Sequence, residues 1–89
     1  MKKFAVFTTS KRTIDYQISI SNKIPDDAVI NILNAWLKLI NVKGTFHGTR
    51  ENIILNSDTY SNIEIIRGDS NIKVNLVKYI LEYEIREVN

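Results

Sequence analysis

The sequence predicts an α+β fold, with one main α-helix packed on an antiparallel β-sheet in the order β-β-α-β-β-β(-β). Three observations predict it. Residues 14–21 alternate apolar and polar side chains with period two. Residues 26–41 repeat apolar side chains at helical spacing. Residues 45–88 then break into short apolar runs separated by turn chemistry. The chain of 89 residues fits a single domain, 1–89, large enough to bury a core without staples.

Residues 3–9 hold Phe4, Val6, Phe7, Thr8 and Thr9, aromatic and β-branched types that read as a strand. Ser10-Lys11-Arg12 is polar and fits a turn. Ile14, Tyr16, Ile18 and Ile20 then alternate with Asp15, Gln17, Ser19 and Ser21, the signature of a strand with one face on the core. The two runs are expected to form an antiparallel hairpin, with Tyr16 in the core.

Pro25 opens the helix, where its missing N–H costs nothing, and Asp26 and Asp27 complement the positive end of the helix dipole. Ile30, Leu33, Leu37 and Ile40 form one stripe. Val29, Ile32, Trp36 and Leu39 flank it, so the apolar arc is wide and the helix should be covered on more than one side. Gly44 stands where a helix stop is expected.

Residues 45–56 suggest two short strands, and Ile63, Ile65 and Ile66 a third. Gly68-Asp69-Ser70-Asn71 is hairpin-loop chemistry. Ile72, Val74 and Leu76 alternate with polar neighbours. So do Tyr79, Leu81, Tyr83 and Ile85, but on the opposite parity. A β-bulge between Leu76 and Val77 would reconcile the two phases. Lys78–Glu82 and Glu82–Arg86 would also suit a helix, but the alternation favours a strand, placed at a sheet edge open to a second chain.

Composition removes several functions. With no Cys and one His, the chain has no disulfide framework, no thiolate zinc site, no cysteine nucleophile and no multi-histidine metal site. No apolar run approaches the roughly 20 residues that cross a bilayer. The apolar stretch after Met1-Lys2-Lys3 is too short for a signal peptide. These readings place the chain in the cytoplasm, or in the host cytoplasm if it is viral. The abundance of Ile, Asn and Lys points to an A/T-rich genome, and a phage or mobile element would fit.

No constellation supports catalysis. His47 reads as an ordinary strand or loop residue. Asp26 and Asp27 belong to a helix start, and Glu82 and Glu84 to the solvent face of a strand. Asp15 with Tyr16, or Asp58 with Tyr60, could form acid–phenol pairs, but neither has a third partner. No glycine-rich phosphate loop or nucleophile elbow occurs. Arg67-Gly68-Asp69 reads as a β-turn. The chain is therefore expected to be no enzyme, to carry no metal and no cofactor, and to bind no membrane.

What remains is a small non-enzymatic binding protein that acts through a protein–protein interface. A phage or mobile-element inhibitor of a host defence system is one form of it, and a homodimer is compatible with it. The candidate contacts are Trp36, Tyr79 and Tyr83, with the acidic Glu82, Glu84 and Glu87. The alternative is a nucleic-acid-binding domain with a basic N-terminal hairpin patch of Lys2, Lys3, Lys11, Arg12, Lys43 and Arg50. Its basis is charge asymmetry. Residues 1–50 hold eight basic and three acidic side chains, while residues 51–89 hold four and seven. Interleaving of the two halves in one sheet would cancel the asymmetry.

Overall fold

The computed structural model describes residues 2–89, which form one helix and five strands in two antiparallel sheets. The elements are β1 (Lys3–Ser21), α1 (Asp26–Leu39), β2 (Thr45–Gly48), β3 (Ile53–Asn56), β4 (Asn62–Arg67) and β5 (Asn71–Val88). The larger sheet has the order β1-β5-β4, and β2 pairs with β3 in the smaller one. The α+β class and the single main helix stand.

The expected first hairpin does not form. β1 runs unbroken through Ser10-Lys11-Arg12, because every residue from 3 to 14 finds a partner on β5, from Lys3 opposite Val88 to Ile14 opposite Val77. Long-range pairing overrides a weak local turn signal that contains no Gly, Pro, Asn or Asp. The edge placement of the C-terminal strand also needs correction. β5 is the central strand where β4 accompanies it, between Ile72 and Val77. Beyond that point it pairs with β1 alone.

The molecule therefore has a body and an arm. The arm is a two-stranded ribbon of residues 3–13 and 78–88, about 37 Å long at the usual rise per residue. It draws the molecule out to 67 × 28 × 19 Å, with a radius of gyration of 18.5 Å. A compact chain of this length would have a radius of gyration of about 12 Å.

The core lies in the body. Ile20 of β1 and Ile72, Val74 and Leu76 of β5 meet Val29, Leu33, Trp36 and Leu37 of α1, with Phe46 and Ile53 from the small sheet and Tyr60 from the loop before β4. The buried helical stripe is thus rotated from the expected one, and Leu39 is left exposed. Asn34 belongs to the polar stripe of the helix, yet its side chain works inward. Its Nδ2 donates to the Phe46 carbonyl at 3.1 Å and its Oδ1 accepts from the Phe46 N–H at 2.7 Å, so the amide replaces a missing strand partner.

The helix ends at Leu39, two residues short of the expected Asn41, and Asn41 takes the place expected for Gly44 in stopping it. Asn41 takes a left-handed φ of 59°, the N–H of Val42 reaches the Leu37 carbonyl, and that of Asn41 reaches Lys38. These two bonds satisfy the terminal carbonyls, and Asn tolerates the left-handed geometry better than most side chains. Between β2 and β3, Gly48 at φ 102° is required, since a Cβ there would fall 2.1 Å from the Asn52 carbonyl oxygen.

Candidate functional site

The junction between body and arm is a β-bulge. The register of β1 on β5 shifts between Ile14 and Tyr16, which leaves Asp15 as the extra residue. Sequence reasoning located the phase change at Leu76/Val77 but put the bulge on that strand. The structure puts it on the opposite one, because Ile14 faces Val77 and Tyr16 faces Leu76.

Asp15 is pinned on several sides. Tyr60 donates its phenolic O–H to Asp15 Oδ2 at 2.8 Å, and Thr13 Oγ1 donates to Oδ1 at 3.1 Å. Lys78 Nζ stands 3.8 Å from Oδ2 and 5.1 Å from the centre of the Tyr60 ring. Tyr16, 39% exposed, is less buried than expected, and its ring meets that of Tyr60 edge-on at 6.4 Å. An acid–phenol pair does exist here, but it joins Asp15 to Tyr60. Burial, then the bond to Asp15, pushes the Tyr60 hydroxyl up to about 12. A phenol held protonated is a structural pin, with no tendency to act as a nucleophile at neutral pH.

The bulge has a geometric consequence. The side chains of β1 keep the same parity through it, while those of β5 change parity at Leu76/Val77, so the two strands switch apolar faces together. In the body the apolar face looks toward α1. In the arm it continues the opposite side of the sheet. There Val6 pairs with Ile85, Thr8 with Tyr83, Ser10 with Leu81, Arg12 with Tyr79 and Phe4 with Glu87.

This face holds Phe4, Val6, Tyr79, Leu81, Tyr83 and Ile85, between 54% (Tyr79) and 71% (Ile85) exposed. Charges lie only at its two ends. Arg12, at the body end, makes a bidentate pair with Glu64 of β4. That bond holds the Glu64 carboxyl below its ordinary range. Glu87 lies at the far end. The reverse face of the arm is mixed, with Lys3, Lys11, Lys78, Glu82, Glu84 and Arg86 around the exposed Phe7 and Ile80. Arg86 bonds Glu84 at 2.8 Å and covers the ring of Phe7 at 4.7 Å.

The expected contact residues thus separate. Tyr79, Tyr83 and Glu87 share the apolar face, while Glu82 and Glu84 occupy the reverse one. Trp36 belongs to neither. It is 8% exposed, and its ring stacks on Phe46 at 6.5 Å, so it is a core residue and its place among the contacts is withdrawn. Phe4 and Val6 join the same face, which the sequence did not show, because an assumed turn at Ser10-Lys11-Arg12 hid their register with Glu87 and Ile85.

The basic residues do not gather either. Lys2, Lys3, Lys11 and Arg12 belong to the arm, while Lys43 and Arg50 stand on loops of the body. Arg50 is engaged at the start of α1, donating to Asp26 Oδ1 at 2.7 Å and to the Ile24 carbonyl. Three basic residues of β1 and β5 are ion-paired: Arg12 with Glu64, Lys78 with Asp15 and Arg86 with Glu84. The asymmetry between the two halves of the sequence does not carry over to the ribbon, since β1 holds three basic side chains and one acidic, and β5 three of each.

His47 is exposed on β2, and Arg67-Gly68-Asp69 runs into the β4–β5 hairpin. Among the described residues no group of three or more His, Cys, Asp or Glu could hold a metal ion, and no helix is long and apolar enough to cross a membrane. No family model, curated protein or solved structure matches this chain.

Proposed function

We propose that this chain is a non-enzymatic binding protein and that its arm is the binding element. One observation carries the reading: six large apolar side chains line a single face of a ribbon that its own body leaves uncovered. A two-stranded ribbon is marginal in water, and a further layer on its apolar face is what stabilises such a structure. Exposed apolar patches of this extent mark interaction sites. Tyr and Phe suit that role because they supply contact area at low conformational-entropy cost. A protein of this kind works by occupying a surface, which is also how a small inhibitor of a host system would act.

A Leu81→Asp/Tyr83→Asp double variant tests the reading. Both substitutions lie outside the core, so the far-ultraviolet spectrum and the Trp36 emission of the body should persist. Captured protein that is retained by the parent chain and lost by the variant is the expected result. Identical capture by both would remove the arm as the binding element. Binding to mixed DNA and RNA that falls steeply with salt would favour the nucleic-acid alternative instead.

A further inference from the structure

We infer that the occupant of the arm's apolar face is a second copy of this chain, with the two arms packed face to face in antiparallel orientation. The inference rests on the binding role proposed for the arm.

Area is the first argument. The accessible surface is 6587 Å². A globular monomer of 10.3 kDa exposes roughly 5,400 Å². The six apolar side chains of the arm, at their observed exposures, present roughly 800 Å², which is one partner's share of a standard stable interface. Covering that face in each copy removes most of the excess, and a two-fold contact closes at two without leaving a sticky surface.

Shape is the second. Each arm is a regular antiparallel ladder with six of its large apolar residues on one side, against Phe7 and Ile80 on the other. Two such faces can stack about 10 Å apart as a two-layer sandwich, interdigitating Val, Leu, Ile, Phe and Tyr as sandwich cores do. Neither copy has to open its body to do so.

Charge is the third, and it sets the direction. The face carries Arg12 at the body end and Glu87 at the far end. The Thr8/Tyr83 pair lies midway between them. An antiparallel overlay centred on that pair keeps the two Glu87 carboxylates at opposite ends and sets each beside the Arg12–Glu64 pair of the other arm. It places the two Tyr83 positions across the two-fold axis and the two bodies at opposite ends of the assembly. The small Thr8 and Ser10 side chains leave room for aromatic rings from the facing arm.

Light scattering on the eluted protein and an engineered thiol test this together. The parent chain should elute with twice the mass of one chain, and Leu81→Asp should elute with half that mass while keeping the body's melting profile. The chain has no Cys, so Tyr83→Cys introduces a single thiol. Facing sheets about 10 Å apart hold opposed Cα atoms beyond direct disulfide reach, so a short bis-maleimide is used. It should cross-link this variant into a dimer, whereas a Lys73→Cys control in the body should stay uncross-linked.

A parent chain that stays monomeric at 100-fold dilution and at the highest soluble concentration alike overturns the inference. So does a dimer that survives Leu81→Asp, since it would use another surface. A dimer lost in Leu81→Asp but not trapped through position 83 overturns the antiparallel overlay. A monomer whose arm variant still loses a captured protein overturns only the second copy and leaves the binding role intact. A monomer whose arm variant changes nothing overturns both.

Discussion

The ribbon of β1 and β5 is one continuous ladder with two fates. Its body half, residues 16–21 against 71–76, places Ile20, Ile72, Val74 and Leu76 under α1, where each is nearly inaccessible. Its arm half, residues 3–13 against 78–88, carries a comparable apolar stripe with nothing on it. Strand propensity and the β1–β5 pairing are alike in the two halves, and β4 adds a third strand beside the body half alone. The difference in packing comes from the bulge at Asp15, which sends the apolar stripe of the arm to the side away from the helix. Regular secondary structure is therefore a poor guide to where a side chain contributes stability. The packing layer decides.

The largest expected effect tests the body side. Leu33→Ala removes a fully buried side chain from α1 and should cost about 2–5 kcal/mol. Chemical denaturation followed by Trp36 emission would measure it, and a loss below that range would mean that the core can collapse around the gap. By contrast, Leu81→Asp should leave the same denaturation midpoint almost unchanged, within about 0.5 kcal/mol at low protein concentration, as exposed positions do. Its effect should appear in hydrogen exchange, with faster amides in 3–13 and 78–88 and unaltered ones in 72–77.

Asn34→Ala comes next. It leaves the N–H and carbonyl of Phe46 without the partner that α1 supplies, at a cost of about 1–3 kcal/mol. Loss of β2–β3 protection in hydrogen exchange, with the arm untouched, would show that the two regions are energetically separate.

Tyr60→Phe addresses the joint between them. The phenol's pKa is raised from 10.0 to about 12 in the folded chain, so its contribution is complete below pH 10 and is lost as pH rises toward 12. The parent chain should weaken across that window and the variant should lose less. Equal alkaline slopes would show that the bond to Asp15 does not hold the bulge. The smallest effect belongs to Glu64→Gln. The Glu64 carboxyl is lowered by its bond to Arg12, so the pair contributes above the ordinary carboxylate range and is lost as pH falls. The variant should flatten the acid limb of the stability profile slightly, and an unchanged limb would mean that the pair is fully screened.

Much of the fold was legible because it rests on local signals. The alternation of Tyr16 to Ile20, the Pro25-Asp26-Asp27 start and the Gly68–Asn71 loop each follow from short-range geometry, whereas Ile14, expected on the same face, lies across the bulge on the other one. The face shared by Tyr79, Leu81, Tyr83 and Ile85 was legible for the same reason. The illegible parts depend on partners distant in sequence. Ser10-Lys11-Arg12 looks like a turn until its opposite strand is known, and a parity change in one strand does not say which strand carries the extra residue. Trp36 fits an interface as well as a core until Phe46 is seen stacked on it.

The sequence by itself determined that one helix and an antiparallel sheet would form, and that the C-terminal stripe would be apolar on alternate residues, because those follow from periods of 3.6 and 2. Only the tertiary structure decided that the first and last strands pair along their whole length, that Asp15 bulges, and that the stripe of the arm therefore faces away from the body. Those outcomes depend on register between strands some fifty or more residues apart in the chain, and no local period encodes register.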